Sequence, residues 1–391
     1  MTPMIMERQG LALTDPETVG MSGARLERLC AYLQGAVDCG ALPLADVAIV
    51  RHGALVCRRS FVHSALVEQG YRLTPRSRYY LGSFTKIFVA TLVIQQVERG
   101  AIMLTRPAAD YVPAFAARGK GAVTVRHLLA HASGLPDELA VPLETQMPLP
   151  ELVAEVCAQP LVFAPGTRSS YCTWGFVILA EILRLVSGRT LEELGRDELF
   201  APLGMADSAF GCAADAANHV VPIFDADLEL HSRFNDPRVL TAVRGDTGAF
   251  APADDLAVFG QMMLDGGRFG NVQVLSPVTV RHMTQSQYPW GASAERLAGT
   301  GEEHFVTLSK GLGWMVRGQG FFRGSDLMSP RAFFHGGYLG MRVIVDPDYD
   351  LVSVFMTSVT PTRSAKTTPF GRVGHITHTV GTLAAAAITT L

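Results

Sequence analysis

An α+β fold is predicted for this 391-residue chain: one antiparallel sheet assembled from both chain ends, flanked by terminal helices, plus an inserted mostly helical subdomain. Three observations predict it. Strand-like runs gather toward the two ends, at 46–51 and 54–62 and again at 305–316, 332–335, 341–345 and 351–356. Helical periodicity dominates the stretch between them. A helix is expected near each terminus, at 22–37 and 371–388, where it can cover the sheet. On this reading residues 1–80 and 301–391 are the two parts of one α/β domain, and 81–300 the helical subdomain.

Each element has a local reason. Residues 1–20 carry Pro3 and Pro16 and read as an irregular lead-in. Ser22 can cap a helix whose Leu26, Leu29, Leu33 and Val37 share one face. His52-Gly53 separates two strand-like runs and predicts a hairpin. A long apolar helix follows residue 83 and stops at Arg99-Gly100. A short helix at 123–131 ends in Ser133-Gly134-Leu135-Pro136. Residues 136–165 are rich in proline around a short helix at 151–158, as a surface excursion shaping a cleft would be. Further helices are expected at 173–186, at 191–200 behind the cap Thr190, and at 252–265. Residues 213–245 show little periodicity, and 285–303 form a polar loop bearing Tyr288 and Trp290.

Composition bounds the function. With 48% hydrophobic and 18% charged residues the chain supports a large core and not extensive disorder. A net charge of −3 gives no electrostatic case for nucleic acid or an anionic membrane as partner. No run approaches the roughly 20 apolar residues that span a bilayer. Residues 1–10 lack the pattern of a secretory leader. Cys30, Cys39, Cys57, Cys157, Cys172 and Cys212 show no metal-ligand spacing, so reduced thiols and a cytoplasmic location are expected. There is no Walker loop, no G-x-G-x-x-G and no G-x-S-x-G elbow, and no cofactor is expected.

The chemistry centres on Leu81-Gly82-Ser83-Phe84-Thr85-Lys86, where an extended segment gives way to a helix. Three residues apart on a helix, Ser83 and Lys86 share a face. A serine hydroxyl is a weak nucleophile until a neighbour takes its proton, and an amine can do so. The helix N-terminus adds N–H groups where an oxyanion would form. Only Lys86, Lys120, Lys310 and Lys366 are lysines, so a lysine inside this apolar run is unusual. The competing reading of Ser83 and Lys86 is a capped helix with a surface lysine.

Two further stretches join it: Tyr171-Cys172-Thr173, and Phe334-His335-Gly336-Gly337-Tyr338 between two strand-like runs. The order Ser-x-x-Lys, Tyr-x-(Asn), (Lys/His)-(Thr/Gly)-Gly resembles the serine β-lactamase and penicillin-binding family. It is most similar to the class C branch that includes family VIII carboxylesterases and D-alanyl-D-alanine carboxypeptidases. His127-Leu128-Leu129-Ala130-His131-Ala132-Ser133-Gly134-Leu135, Phe163 to Gly175, Pro202-Leu203-Gly204-Met205, 245–260 and Gly311-Leu312-Gly313-Trp314 resemble other segments of that family in the same order.

The resemblance implies a β-lactamase/transpeptidase-like fold and an acyl-enzyme formed on Ser83. Lys86 and Tyr171 would share the general-base work. The backbone N–H groups of Ser83 and Tyr338 would form the oxyanion hole, with Gly336 and Gly337 leaving room for substrate. His335 stands where many relatives have a second lysine, and is expected to be a weaker, pH-dependent cation. Thr173 stands where penicillin-active relatives usually carry asparagine. That departure and His335 favour esters, so a carboxylesterase acting on a small acyl substrate is expected. The alternatives are an acyltransferase using an alcohol or amine acceptor, a D-alanyl-D-alanine carboxypeptidase or β-lactamase-type amidase, and a silent ligand-binding homologue. Tyr288 and Trp290, with 136–165 and 213–245, are expected to line the pocket.

Other residues invite plainer readings. His127 and His131 have the i, i+4 spacing of metal ligands on a helix, but no H-E-x-x-H glutamate accompanies them, and a structural role is expected. Cys172 reads as a buried thiol and His375 and His378 as packing or surface residues of the closing helix.

Overall fold

The computed structural model describes residues 10–137, 147–212, 219–225, 227–288, 293–296, 303–306, 309–318, 324–360 and 371–391. Helix α1 (Gly23–Asp38) begins as its cap dictates, with Ser22 Oγ accepting the Arg25 N–H at 3.3 Å. Strands β1 (Leu44–Arg51) and β2 (Ala54–Val62) follow as an antiparallel hairpin. Its turn residues His52 and Gly53 both have positive φ, 49° and 73°, the twist that suits a two-residue hairpin loop. Helix α2 (Thr85–Glu98) is buried on every side from Thr85 to Gln96, which explains its unbroken apolar composition. The helices α3 (Val125–Leu129), α4 (Gly175–Ser187) and α5 (Ala253–Leu264) succeed it. The chain closes with β3 (Ser309–Lys310), β4 (Met315–Val316), β5 (Phe333–Gly336), β6 (Arg342–Asp346), β7 (Leu351–Met356) and α6 (Gly371–Ala386).

Seven strands make one antiparallel sheet in the order β3-β4-β5-β6-β7-β1-β2. The two chain ends meet where β1 pairs with β7, from Asp46 opposite Met356 to Arg51 opposite Leu351. Both strands are buried throughout, and successive side chains alternate between two cores. Val47 and Ile49 point to the core filled by Leu29 and Leu33 of α1 and Ile376 and Val380 of α6. Ala48 and Val50 point to the larger core that holds α5, α2 and α4. Strands that must satisfy two layers read as near-continuous apolar runs, which is how these read in the sequence.

One buried polar network pins the sheet to the helical part. Arg58 donates to Asp46 at 2.8 Å and to Asp254 of α5 at 2.6 Å, Tyr79 Oη donates to Asp46 at 3.1 Å, and Ser60 also bonds Asp46. Burial pushes the Asp46 carboxyl up, against the pull of Arg58 downward.

The loop expected at 285–303 contains a strand, Ser293–Arg296, paired with Glu303–Val306, and two other expected elements differ. The run at 305–316 is not one strand: the 311–314 turn separates β3 from β4. Gly313 takes φ 86° there, its N–H donates to the Leu129 carbonyl at the end of α3 at 2.9 Å, and a methyl on it would strike Ala90 of α2. The helix expected at 123–131 stops at Leu129, and His131 lies beyond it with φ 54°. His127 and His131 therefore do not share a helix face. Among the described residues, no helix is long and apolar enough to cross a membrane.

Candidate active site

The segment that carries Ser83 is clamped before its helix starts. Tyr79 and Tyr80 pair with 249–251, the Leu81 N–H donates to the Ala249 carbonyl at 2.9 Å, and the Ala249 N–H donates to Thr85 Oγ at 3.0 Å. Gly82, at φ 51°, turns the chain from strand into the short 3-10 turn Gly82–Phe84 that leads into α2. Ser83 is thus held at a helix entrance, half-buried, while Lys86 one turn on is fully buried.

Lys86 Nζ lies 3.0 Å from Ser83 Oγ and donates a second hydrogen bond to the Asp246 carbonyl at 3.0 Å. The same amine sits over the Tyr171 ring, 5.3 Å from its centroid. Asp246 is fixed in turn. Its carboxylate pairs with Arg244 at 3.2 Å, and the Arg244 guanidinium lies over Trp174 at 5.5 Å. Trp174 Nε1 donates to the Asp137 carbonyl at 2.9 Å, and the Thr173 N–H donates to Asp137 Oδ1 at 3.2 Å. Thr173 therefore serves, through its backbone, to anchor the entry to α4.

Tyr171 is boxed by rings and cations. His131 stacks on it with centroids 4.5 Å apart, and His335 lies 6.3 Å away. The Cys172 N–H donates to His131 Nδ1 at 3.0 Å, which fixes the backbone beside Tyr171. A second ammonium, Lys310 Nζ from β3, lies 5.5 Å from the Tyr171 ring centroid.

The third stretch comes alongside through its glycines. A methyl at Gly337 would collide with the Leu81 carbonyl oxygen, and one at Gly336 would come within 2.8 Å of the Met341 carbonyl. A methyl at Gly82 would stand 3.2 Å from the Tyr338 nitrogen. The main chains of 81–83 and 337–338 are therefore in contact, which brings the Ser83 and Tyr338 backbones side by side. The two glycines make room for the chain itself, where room for substrate was expected. The Tyr338 side chain is 47% exposed and tilts against Phe234.

His335 does not behave as expected. Its Nδ1–H donates to the Gly336 carbonyl at 2.8 Å, and burial, with Lys86 adding to it, pushes the imidazole down to about 3. At neutral pH it is uncharged, so it is not the pH-dependent substitute for a lysine. His131 is likewise held well below its ordinary value, by burial first and then by Lys310, Lys86 and His335. His127 Nδ1 accepts the Thr124 N–H at 3.1 Å, a helix cap. Cys172 is buried and its thiol is pushed up to about 12 by desolvation, which makes it inert as a nucleophile.

Tyr288 stacks near-parallel on His127 with centroids 6.4 Å apart. Trp290 lies outside the described residues, as do 138–146, 213–218 and 226 of the two expected pocket-lining stretches. Sequence reasoning missed Lys310 and Asp246, and gave His131 a structural role without placing it against Tyr171. Lys310 had one signal, the rarity of lysine in this chain; the Asp246 carbonyl had none, because a backbone acceptor leaves no mark in residue type.

The family model described as Beta-lactamase matches residues 31–373. A protein of Escherichia coli (strain K12) named "Putative D-alanyl-D-alanine carboxypeptidase" is 24% identical, over 89% of this chain and 85% of its own length. A crystal structure of a family VIII carboxylesterase superposes with a TM-score of 0.73 at 20% identity, covering 92% of this chain and 99% of that one. A hydrolase with promiscuous acyltransferase activity superposes with a TM-score of 0.71 at 19% identity, covering 91% and 98%. The chain belongs to the Beta-lactamase family and is a serine hydrolase with that family's fold.

Proposed function

We propose that this protein is a carboxylesterase that works through an acyl-enzyme on Ser83. The observation that carries the reading is the 3.0 Å approach of Lys86 Nζ to Ser83 Oγ, with the Tyr171 ring against the same amine. Ser83 Oγ attacks the ester carbonyl while its proton passes to the Lys86–Tyr171 pair. The carbonyl oxygen becomes an oxyanion held by the N–H groups of Ser83 and Tyr338. The C–O bond to the alcohol then breaks, and the alcohol leaves with the proton, delivered through Tyr171. Water, deprotonated by the same pair, attacks the acyl-serine and releases the acid. Thr173, with no side-chain amide, supports an ester over a β-lactam or peptide substrate.

Acyl transfer differs only in the acceptor: an alcohol or amine replaces water at the second step. The structural likeness to a hydrolase with acyltransferase activity favours keeping it as the second reading. A cytoplasmic location completes the proposal, supported by six free thiols.

The test is an active-site serine probe together with short-chain p-nitrophenyl ester turnover, in wild type and Ser83→Ala. Wild type should label and turn over, and Ser83→Ala should do neither. Adding alcohols or amines during turnover distinguishes transfer from hydrolysis by the product formed. Wild type that neither labels nor hydrolyses any short acyl ester would overturn the proposal.

A further inference from the structure

Cys30 of α1 and Cys57 of β2 stand with their sulfurs 3.7 Å apart, both of them free thiols and both buried. They lie in the core between the sheet, α1 and α6, among apolar side chains such as Leu26, Leu29 and Val56. Their meeting depends on a β-bulge. Ile49 of β1 pairs with Cys57, while the next residue, Val50, pairs with Leu55, so Val56 is an extra residue on β2. Leu55 belongs to the larger core on the other side of the sheet. In a regular strand Cys57, two residues on, would point there too. The extra residue turns it toward α1, where its sulfur meets Cys30.

The pair has a charged border. Glu27 lies one turn before Cys30 on α1, and Arg59 lies two residues after Cys57 on the same face of β2. Arg59 Nη2 meets Glu27 Oε1 at 3.4 Å, and both side chains are at least half exposed. The thiols thus sit at the rim of their core, beside a solvated ion pair of the weakly held kind. The two sulfurs also act on each other. The Cys57 S–H donates to Cys30, and this bond holds the Cys30 thiol below its ordinary value and pushes Cys57 up. Cys30 is therefore the readier nucleophile of the two.

We propose that Cys30 and Cys57 are a modification site, which hydrogen peroxide closes into an intramolecular disulfide. The Cys30 sulfur attacks a peroxide oxygen and the O–O bond breaks. The hydroxide released takes up the proton that Cys30 gave up and leaves as water, with Cys30 now a sulfenic acid. The Cys57 sulfur then attacks the Cys30 sulfur, the S–O bond breaks, and the hydroxyl leaves as a second water with the Cys57 proton. The two thiols together lose two electrons and two protons, and one peroxide becomes two waters. The new bond ties α1 to β2 across a separation of 27 residues, which restricts the unfolded chain and stabilises the fold. In a reducing compartment, thiols of the glutathione class reopen it. None of this depends on the ester chemistry of Ser83.

The experiment treats the reduced full-length protein with hydrogen peroxide and quenches with catalase. The remaining thiols are alkylated under denaturing conditions, and the tryptic peptides are mapped by mass. Alkylatable thiols should fall from six to four, with peptides 29–51 and 52–58 joined through Cys30 and Cys57. Dithiothreitol should restore all six. Cys39 is exposed and shares the 29–51 peptide, so Cys39→Ser is mapped alongside; the serine hydroxyl can keep the bond to the Ala36 carbonyl. The oxidised protein should melt about 3–6 °C above the reduced one. In Cys57→Ala the bond cannot close, and Cys30 should stand as a sulfenic acid that a 1,3-diketone traps. If Cys57→Ala does not fold, Cys57→Ser takes its place, and the wild-type map needs neither variant. Cys30 and Cys57 both still alkylatable while Cys39 is oxidised, or Cys30 joined to Cys39 instead, would overturn the inference.

Discussion

Acidification should unfold this protein partly through His335. The native state holds that ring at about 3, because it is buried beside Lys86, while an unfolded chain protonates a histidine near its ordinary 6.5. Below 6.5 the unfolded state therefore takes up a proton that the native state refuses, and stability falls with pH until the native ring titrates. Between pH 7 and pH 5 the linkage relation gives a loss of about 2 kcal/mol from this one ring. His131 acts in the same direction. Asp46 and Asp346 act in the opposite one, since burial raises both carboxyls and lets the native state bind their protons more readily. A comparison of wild type with His335→Gln cancels those groups, because only the imidazole differs. The glutamine amide can still donate toward the Gly336 carbonyl that His335 now serves. Urea unfolding of both proteins at pH 7 and pH 5 measures the effect: the wild type should lose about 2 kcal/mol more than the variant over that interval. Equal losses in the two proteins would show that His335 is not held neutral by its surroundings, and the electrostatic account of the site would fail.

Two further expectations follow from packing and pairing. Gly337→Ala drives a methyl into the Leu81 carbonyl, so stability should fall by about 1–3 kcal/mol, as in other overpacked cores, and serine-probe labelling should slow as 81–83 and 337–338 are forced apart; normal melting with normal labelling would refute the contact. Arg58→Met strands the Asp46 carboxylate in the core and should cost about 3–5 kcal/mol in denaturant unfolding. Adding Asp46→Asn should return part of that loss, and a double variant no more stable than the single one would contradict the pairing.

The sheet's composition from both chain ends was legible because its signals are local. Ser22 ahead of an apolar stripe, His52-Gly53 between two runs, and apolar residues at 351–356 each announce an element without reference to the rest of the chain. Ser83 and Lys86 were legible for the same reason: a three-residue step on a helix sets their distance. Where local signals misled, a distant contact had intervened. The strand read at 305–316 breaks because Gly313 must dock on Leu129, and the helix read to 131 stops early as His131 turns in to hold Cys172 and stack on Tyr171.

From sequence alone came the pairing of Ser83 with Lys86 and the order of the strands and helices, all properties of neighbours along the chain. Only the assembled structure decided the charge of His335, the approach of Lys310 and the part played by the Asp246 carbonyl. Protonation depends on how much water surrounds a group and which charges lie near it, and both are set by segments far apart in sequence.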